Sequence, residues 1–364
     1  MSLFLIVFAA ITELGSVFSW YIIQTVFLSE YPKIAHGSLL FFILMPVVAI
    51  ISFGLSWNHY SKTNSIAYSV SAWWLGFLLY IFLASIIVGL LYSIWVYIGI
   101  SNNLSTVIGI LVYICAFAMT VYGTIHSYQT EITKYSLPKE NFPISWHGRK
   151  IVIISDTHIG QVNGVGFLQK TIEKVNAVNP DIVFIAGDLI DGPKIPLEWL
   201  GELKNIQAPL GTYFTSGNHE TYSRDFEAVI HTLENTVTVL EDTTRLIDGV
   251  QIGGISYKHE TVDVTRETLR RFGLDKTKPS IVMLHDPKNI SALIDEDITL
   301  SISGHTHGGQ LFPGTLIVKK IYGVFAYGLN KNKKTYSITT SGVGTAQAPV
   351  RIGTKSEIVL LEIN

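Results

Sequence analysis

Five short segments of this chain set aspartate, histidine or asparagine at the end of an apolar run. They read I-I-S-Asp156-Thr157-His158, F-I-A-Gly187-Asp188-Leu189-Ile190-Asp191, T-S-Gly217-Asn218-His219-Glu220, M-L-His285-Asp286-Pro287 and S-Gly304-His305-Thr306-His307-Gly308-Gly309-Gln310. In an extended segment, residues two apart face the same side, so Asp156 with His158, and His305 with His307, can converge on one point. The donors are oxygen and imidazole. The single cysteine, Cys115, sits in an apolar run, which excludes a disulfide framework and a thiolate metal site and fits a reducing compartment. Oxygen and imidazole ligands without thiolate suit manganese, iron or zinc in a hydrolytic site. Two such ions about 3.5–4 Å apart can clamp the attacking and leaving oxygens of a phosphoryl displacement, with a hydroxide between them as nucleophile. A nearby histidine can protonate the leaving group.

The elements that must carry these residues follow from the pattern around them. Thr130 to Leu137 alternates as a strand, and Pro138 and Pro143 mark a linker-like turn. Strand, polar turn and helix then repeat. Strands are expected at Lys150–Ser155, Asp181–Ala186, Thr212–Ser216, Gln251–Ser256, Ser280–Leu284, Thr299–Ser303, Leu316–Lys319, Tyr336–Thr340 and Glu357–Glu362. Helices are expected at Phe167–Val178, around Leu197–Lys204, and at Arg224–Leu233. Apolar strands alternating with helices predict an α/β domain with buried sheets. In such sheets ligands bind at the carboxyl ends of strands, where all five segments fall.

This ordered set resembles the calcineurin-like metallophosphoesterase superfamily, whose members carry D-x-H, GD-x-x, GNH[DE], a lone His and GHxH in that order. The resemblance runs from about Thr130 to Asn364. The entry I-V-I-I-S-D-T-H-I-G and the ending S-G-V-G-T…P-V-R-I-G…E-I-V-L-L are similar to a bacterial, often membrane-attached, phosphodiesterase-like branch. It implies an αββα two-sheet sandwich with two divalent metals at its edge. Asp156, His158 and His307 would hold the first metal, and Asn218, His285 and His305 the second. Asp188 would bridge both, and His219 would be the acid that is not a ligand. Thr157 departs slightly from the pattern, since a bulky apolar residue is common there. Asp191, Glu220 and Asp286 are either partners that orient the ligands or turn and capping residues. Arg351 is a candidate for holding a substrate phosphate or for a surface salt bridge. Gly308 and Gly309 read as turn or close-approach positions. His126, His147, His231 and His259 stand outside the motifs as bystanders.

The first third of the chain is of another kind. Hydrophobic residues make up 48% of the whole and charged ones only 15%, and the imbalance is concentrated before His126, where Glu13, Glu30, Lys33 and Lys62 are the only charges. Four runs, Leu3–Leu28, Leu39–Trp57, Ala67–Tyr97 and Leu104–Ile125, are long enough to span a bilayer, with Trp and Tyr near their ends. A cleaved signal peptide does not fit, because the first run lacks a basic start and is too long. Residues 1–127 are therefore expected to form a four-helix transmembrane region, and 128–364 a metallophosphoesterase catalytic domain. Lys134, Lys139, Arg149 and Lys150 follow the last span, which by the positive-inside rule sets the catalytic domain in the cytoplasm at the plasma or inner membrane. Glu13 lies mid-span, where a carboxylate needs a partner; it reads as a packing residue, with a lipid or proton site as the functional alternative. Gln24 and Pro46 read as packing and kink features. A net charge of −2 and the lack of a Lys/Arg block offer no nucleic-acid surface.

The expected function is dinuclear-metal hydrolysis of a phosphodiester, phosphomonoester or pyrophosphate by a metal-bridging hydroxide. The membrane anchor extends this to a phospholipid or lipid-linked (pyro)phosphate as substrate. The alternatives are a membrane sensor or scaffold with a non-catalytic domain of the same shape, and a transporter gated by it. The complete ligand set argues against the first, and the sparse intramembrane charge against the second.

Overall fold

The computed structural model describes residues 2–58, 60–99, 102–192, 195–223, 225–258 and 261–364. His259 and Arg224, named above, lie outside them. The chain divides into two compact units: Met1–His126 with Gln347–Ile352, and Ser127–Ala346 with Gly353–Asn364.

The first unit holds α1 (Ser2–Phe27), α2 (Pro32–Asn58), α3 (Lys62–Ile98) and α4 (Asn102–Ser127), each long and apolar enough to cross a membrane. α2 and α3 begin well before the expected runs. Pro32 opens α2, where its missing N–H removes nothing. Ser61 caps α3 by accepting from Asn64 N, and Gly99, at φ 72°, closes it in the left-handed region. At 37 residues, α3 is longer than the roughly 30 Å of a bilayer core requires. With apolar surface facing lipid, helix association depends on close packing and hydrogen bonds. Gly89 and Gly109 let Ile22 and Phe27 come against the neighbouring backbone. Ser16 Oγ donates to Phe42 O across 2.6 Å, and Ser52 Oγ to Ser71 Oγ across 2.9 Å. Glu13 is half-buried on α1. Arg351 is completely buried in this unit, its backbone N–H donating to Gly123 O at 2.9 Å, so it is not a surface residue.

The second unit has two six-stranded sheets. Its strands are β1 (Glu131–Leu137), β2 (Lys150–Ile154), β3 (Ile182–Ala186), β4 (Thr212–Thr215), β5 (Thr238–Val239), β6 (Thr243–Ile247), β7 (Val250–Ile255), β8 (Ser280–Leu284), β9 (Leu300–Ser303), β10 (Gly328–Asn332), β11 (Thr335–Thr339) and β12 (Glu357–Ile363). One sheet runs β1-β12-β2-β3-β4-β5 and the other β10-β11-β9-β8-β7-β6. β2, β3 and β4 are mutually parallel, as are β7, β8 and β9. Their residues are almost all buried because both faces are covered. Ile151, Ile153, Phe184, Ile281, Met283 and Ile302 fill the space between the sheets, with Trp146. Val152, Val183 and Phe214 face outward onto the helix Val165–Ala177 and its neighbours. On the other side Val282 and Leu284 meet Leu269 and Leu293. The result is the expected four-layer α/β sandwich.

One expected element is wrong. Leu316–Lys319 is not a strand but part of the helix Gly314–Tyr322. A four-residue apolar run cannot distinguish strand from helix by period alone, and its apolar neighbours, Ile321 and Val324, extend it at helical spacing. The short strands β5, β6 and β10 and the helix Val262–Phe272 were not anticipated.

Candidate metal centre

The carboxyl ends of β2, β3 and β4 meet those of β8 and β9 at one edge of the sandwich, joined where His285 Nδ1 lies 2.6 Å from Ala186 O. Asp156 and His158 follow β2, Asp188 and Asp191 follow β3, and Asn218, His219 and Glu220 open the short helix after β4. His285 and Asp286 follow β8, and His305 and His307 follow β9. Every candidate donor stands at this edge.

Three sets of side chains bring ligand atoms within 4.8 Å of one another: Asp156 with His158 and His307, Asp188 with His285 and His305, and His158 with Asp191 and His219. In the first, His158 Nε2 lies 3.0 Å from His307 Nε2, and His307 Nε2 lies 3.3 Å from Asp156 Oδ1. Two imidazole nitrogens can face each other at that distance only around a shared proton or cation. In the second, His285 Nε2 lies 3.2 Å from Asp188 Oδ2, and His305 Nδ1 lies 2.8 Å from Asn218 Oδ1. These two sets abut at Asp188, whose Oδ2 is also 3.9 Å from His158 Nε2. His158 Nδ1 and His285 Nε2 are buried and make no hydrogen bond, so the donor set fits divalent cations.

The local backbone is bent to achieve this. Asp156, His158, Asp188, His305 and His307 all have φ between 47° and 69°, a region costly for residues with a Cβ and concentrated at functional sites. Neighbouring glycines make the space. A Cβ on Gly304 would fall 2.3 Å from Asp156 Oδ2, and one on Gly217 2.2 Å from Asp188 Oδ1. Gly342 and Gly344, in the S-G-V-G-T segment, pass just as close beneath Asp156 and Thr157. Thr157 is buried and donates to Leu189 O at 2.9 Å, which explains a hydroxyl at that position.

Asp191, Glu220 and Asp286 have distinct roles. Asp191 Oδ1 lies 3.0 Å from His219 Nδ1 and 3.9 Å from His158 Nδ1. Asp286 accepts from Lys288 N and lies 3.6 Å from His305 Nε2, so it is both cap and neighbour. Glu220 is completely buried and accepts from Asp188 N, Ile190 N and Gly217 N at 2.9, 3.0 and 2.7 Å. It therefore ties the Asp188 loop to the Asn218 turn. Replacing Glu220 with Ala strands three buried donors, each worth roughly 1–3 kcal/mol, and should lower stability by about 3 kcal/mol after partial solvation. Thermal melting of the purified protein measures it; a wild-type Tm would show that Glu220 does not tie these loops.

Burial resists charge throughout the site, and the outcome at each group depends on its neighbours. Burial works against the charge on His285 and His219, but Asp188, joined at His219 by Asp191, raises them to about 10 and about 9. Burial and the cationic His219 lower His158 to about 3. Burial works against ionisation of Asp188, yet His285 and His219 hold it well below the usual carboxylate range. Burial and the Asp188 charge push Glu220 up to about 7 against its N–H donors. The edge is thus a pocket of buried carboxylates that recruits positive charge.

Several contributors carry no motif. Glu241 accepts from Ser216 N and Oγ at 2.7 and 2.8 Å, bracing the turn before Asn218. Glu357, buried at the start of β12, accepts from Ser341 N and Thr340 Oγ1, both at 3.0 Å, and fixes the glycine turn under Asp156. The Tyr257 ring lies 6.0 Å from that of His285, and the Tyr322 ring 6.5 Å from that of His305. Their partners are distant in sequence, so no local pattern announces them. Among the described residues, His126, His147 and His231 belong to none of these sets.

A family model described as calcineurin-like phosphoesterase matches residues 149–309. A Danio rerio protein described as a transmembrane protein with metallophosphoesterase domain is 31% identical over 272 residues, covering 68% of this chain and 61% of its own length. An uncharacterized metallophosphoesterase of Campylobacter jejuni is 32% identical over 228 residues, covering 59% of each. One of Bacillus subtilis is 28% identical over 257 residues, covering 66% of this chain and 87% of its own length. The chain thus spans about three fifths of the length of the first two relatives. The same residues form the ordered motifs, the two-sheet sandwich and the clustered donors at its edge, and this chain, a membrane protein by its four apolar spans, belongs to the calcineurin-like metallophosphoesterase superfamily.

Proposed function

We propose that the chain is a metal-dependent phosphoester hydrolase acting at a membrane, cleaving a phosphodiester, phosphomonoester or pyrophosphate bond. The observation that carries this is the convergence of Asp156, His158 and His307 with Asp188, His285 and His305, two donor sets that meet at Asp188. Asp156, His158 and His307 would hold one divalent ion, Asn218, His285 and His305 the other, and Asp188 both. Bound manganese, iron or zinc supplies Lewis acidity toward the phosphoryl oxygens and toward water.

The chain's own residues do the rest. Asp188 Oδ1 accepts from His219 N at 2.9 Å, which keeps its Oδ2 on the side of His285 and His158. Asp191 engages His219 Nδ1, leaving Nε2 to donate a proton to the departing oxygen. The same pair favours the imidazolium, which also offsets negative charge on the phosphoryl group. A scaffold reading predicts missing ligands, and none of the motif positions is lost. The spans favour a phospholipid or lipid-linked phosphoester as substrate, and the basic residues after α4 favour a cytoplasmic catalytic unit.

Stripping the detergent-purified protein with a chelator should reduce hydrolysis of bis-p-nitrophenyl phosphate to background. Manganese should restore it, with two metal equivalents bound per chain. Failure to bind any of manganese, iron or zinc would defeat the proposal. Robust turnover after complete stripping would defeat it equally.

A further inference from the structure

The helix Gly314–Tyr322 begins seven residues after His307 and has no buried residue. Leu316, Ile317 and Ile321 are 59%, 59% and 66% exposed, and Val324, just beyond it, 64%. At helical spacing, 317 and 321 are neighbours and 316 and 320 form the adjoining row, so the apolar side chains of the helix share one face. Three large aliphatic side chains so exposed on one short helix, with Val324 just beyond it, are uncommon on a surface that meets only water. Lys320 lies within this face and Lys319 beside it; neither has an ion-pair partner among the described residues. From Ile298 through Ser356 the chain contains no Asp or Glu, while Lys319, Lys320, Lys331, Lys333 and Lys334 fall inside that stretch. An apolar face carrying lysines and no acid matches an anionic lipid surface, where the aliphatic side chains enter the acyl boundary and the ammonium groups reach the headgroups.

Chain connectivity also brings a bilayer within reach of the unit that carries this helix. Only residues 128–130 separate α4 from β1, a reach of about 10 Å at full extension. The chain returns to the helical unit at Gln347–Ile352 and leaves it again. So short a tether keeps a bilayer spanned by α1–α4 within reach of the second unit at high effective concentration.

We propose that the helix Gly314–Tyr322, with Val324, is an interfacial element that docks the metal-bearing edge onto anionic lipid. Tyr322 closes the helix with its ring 6.5 Å from that of His305, so docking would bring the candidate centre to headgroup level. The surface and its lipid partner do not depend on the phosphoester chemistry.

The test uses the full chain with Cys115→Ser, reconstituted into vesicles of phosphatidylcholine and phosphatidylglycerol. Ile321→Cys and Ile317→Cys are labelled with an environment-sensitive NBD fluorophore, with Lys276→Cys, an exposed site on another surface, as control. The expected result is blue-shifted emission at 317 and 321, quenched by doxyl-labelled lipid at least about twofold more than at 276, and weakened by Lys319→Glu with Lys320→Glu. Quenching at 321 no greater than at 276 overturns the proposal. A blue shift without lipid quenching, lost on diluting the protein in the vesicles, also overturns it and assigns the face to a second copy of the chain. Loss of metal or of hydrolysis leaves the readout unchanged, so the two readings fail separately.

Discussion

Asp188→Asn is expected to abolish hydrolysis, reducing kcat by ~10⁴-fold or more, the scale on which groups acting as a unit fail. The change is nearly isosteric. Asparagine Oδ1 can still accept from His219 N, so the turn after β4 keeps its support. What disappears is the charge beside both donor sets, 3.2 Å from His285 Nε2 and 3.9 Å from His158 Nε2. Metal content measured in the same sample should fall, because under the proposed assignment Asp188 serves both positions. A variant that melts like wild type, yet loses metal and turnover together, is the expected outcome. Turnover within about tenfold of wild type would remove Asp188 from the bridge.

His219→Ala should act differently. Its ring belongs to the set with His158 and Asp191 and to neither of the two that meet at Asp188, so metal content should remain while kcat falls by ~10²–10⁴-fold, the usual contribution of a positioned acid. The chemistry offers a sharper signature. A p-nitrophenolate leaving group departs without a proton, whereas an alkyl alcohol does not, so the loss should be larger for the alkyl ester. Asp191→Asn should reproduce this selectivity at about 10–100-fold, since it weakens only the support of the ring. Equal losses on both leaving groups would leave His219 with an electrostatic role and no proton transfer. Loss of metal in His219→Ala would make it a ligand.

Much of the centre was legible because its residues come in short local strings. Asp156-x-His158 and His305-x-His307 each ride on one strand end, so adjacency in the chain carries the geometry. The four spans were equally plain, since length and lack of charge are properties of contiguous sequence. The helix at Leu316 was misread because a short apolar run has no decisive period, and its context lies outside the run. Glu220 shows a partial case. Its place in the motif was evident, but a glutamate at the start of a helix also reads as a cap, and only folding brings Asp188 N and Ile190 N to its carboxylate.

What the sequence alone determined is therefore the set of candidate donors, their order, the strand ends that bear them and the apolar third with its four spans. The tertiary structure decided which donors meet. Only the apposition of two sheets brings His285, after β8, to Ala186 and Asp188, after β3. It alone sets Glu357 and the Gly342 turn beneath Asp156 and leaves an apolar, basic helix exposed beside His305. The physical reason is that hydrogen bonds and ligand contacts act over about 3 Å in space, while these partners are separated by tens to hundreds of residues, and only the packing of the core closes that distance.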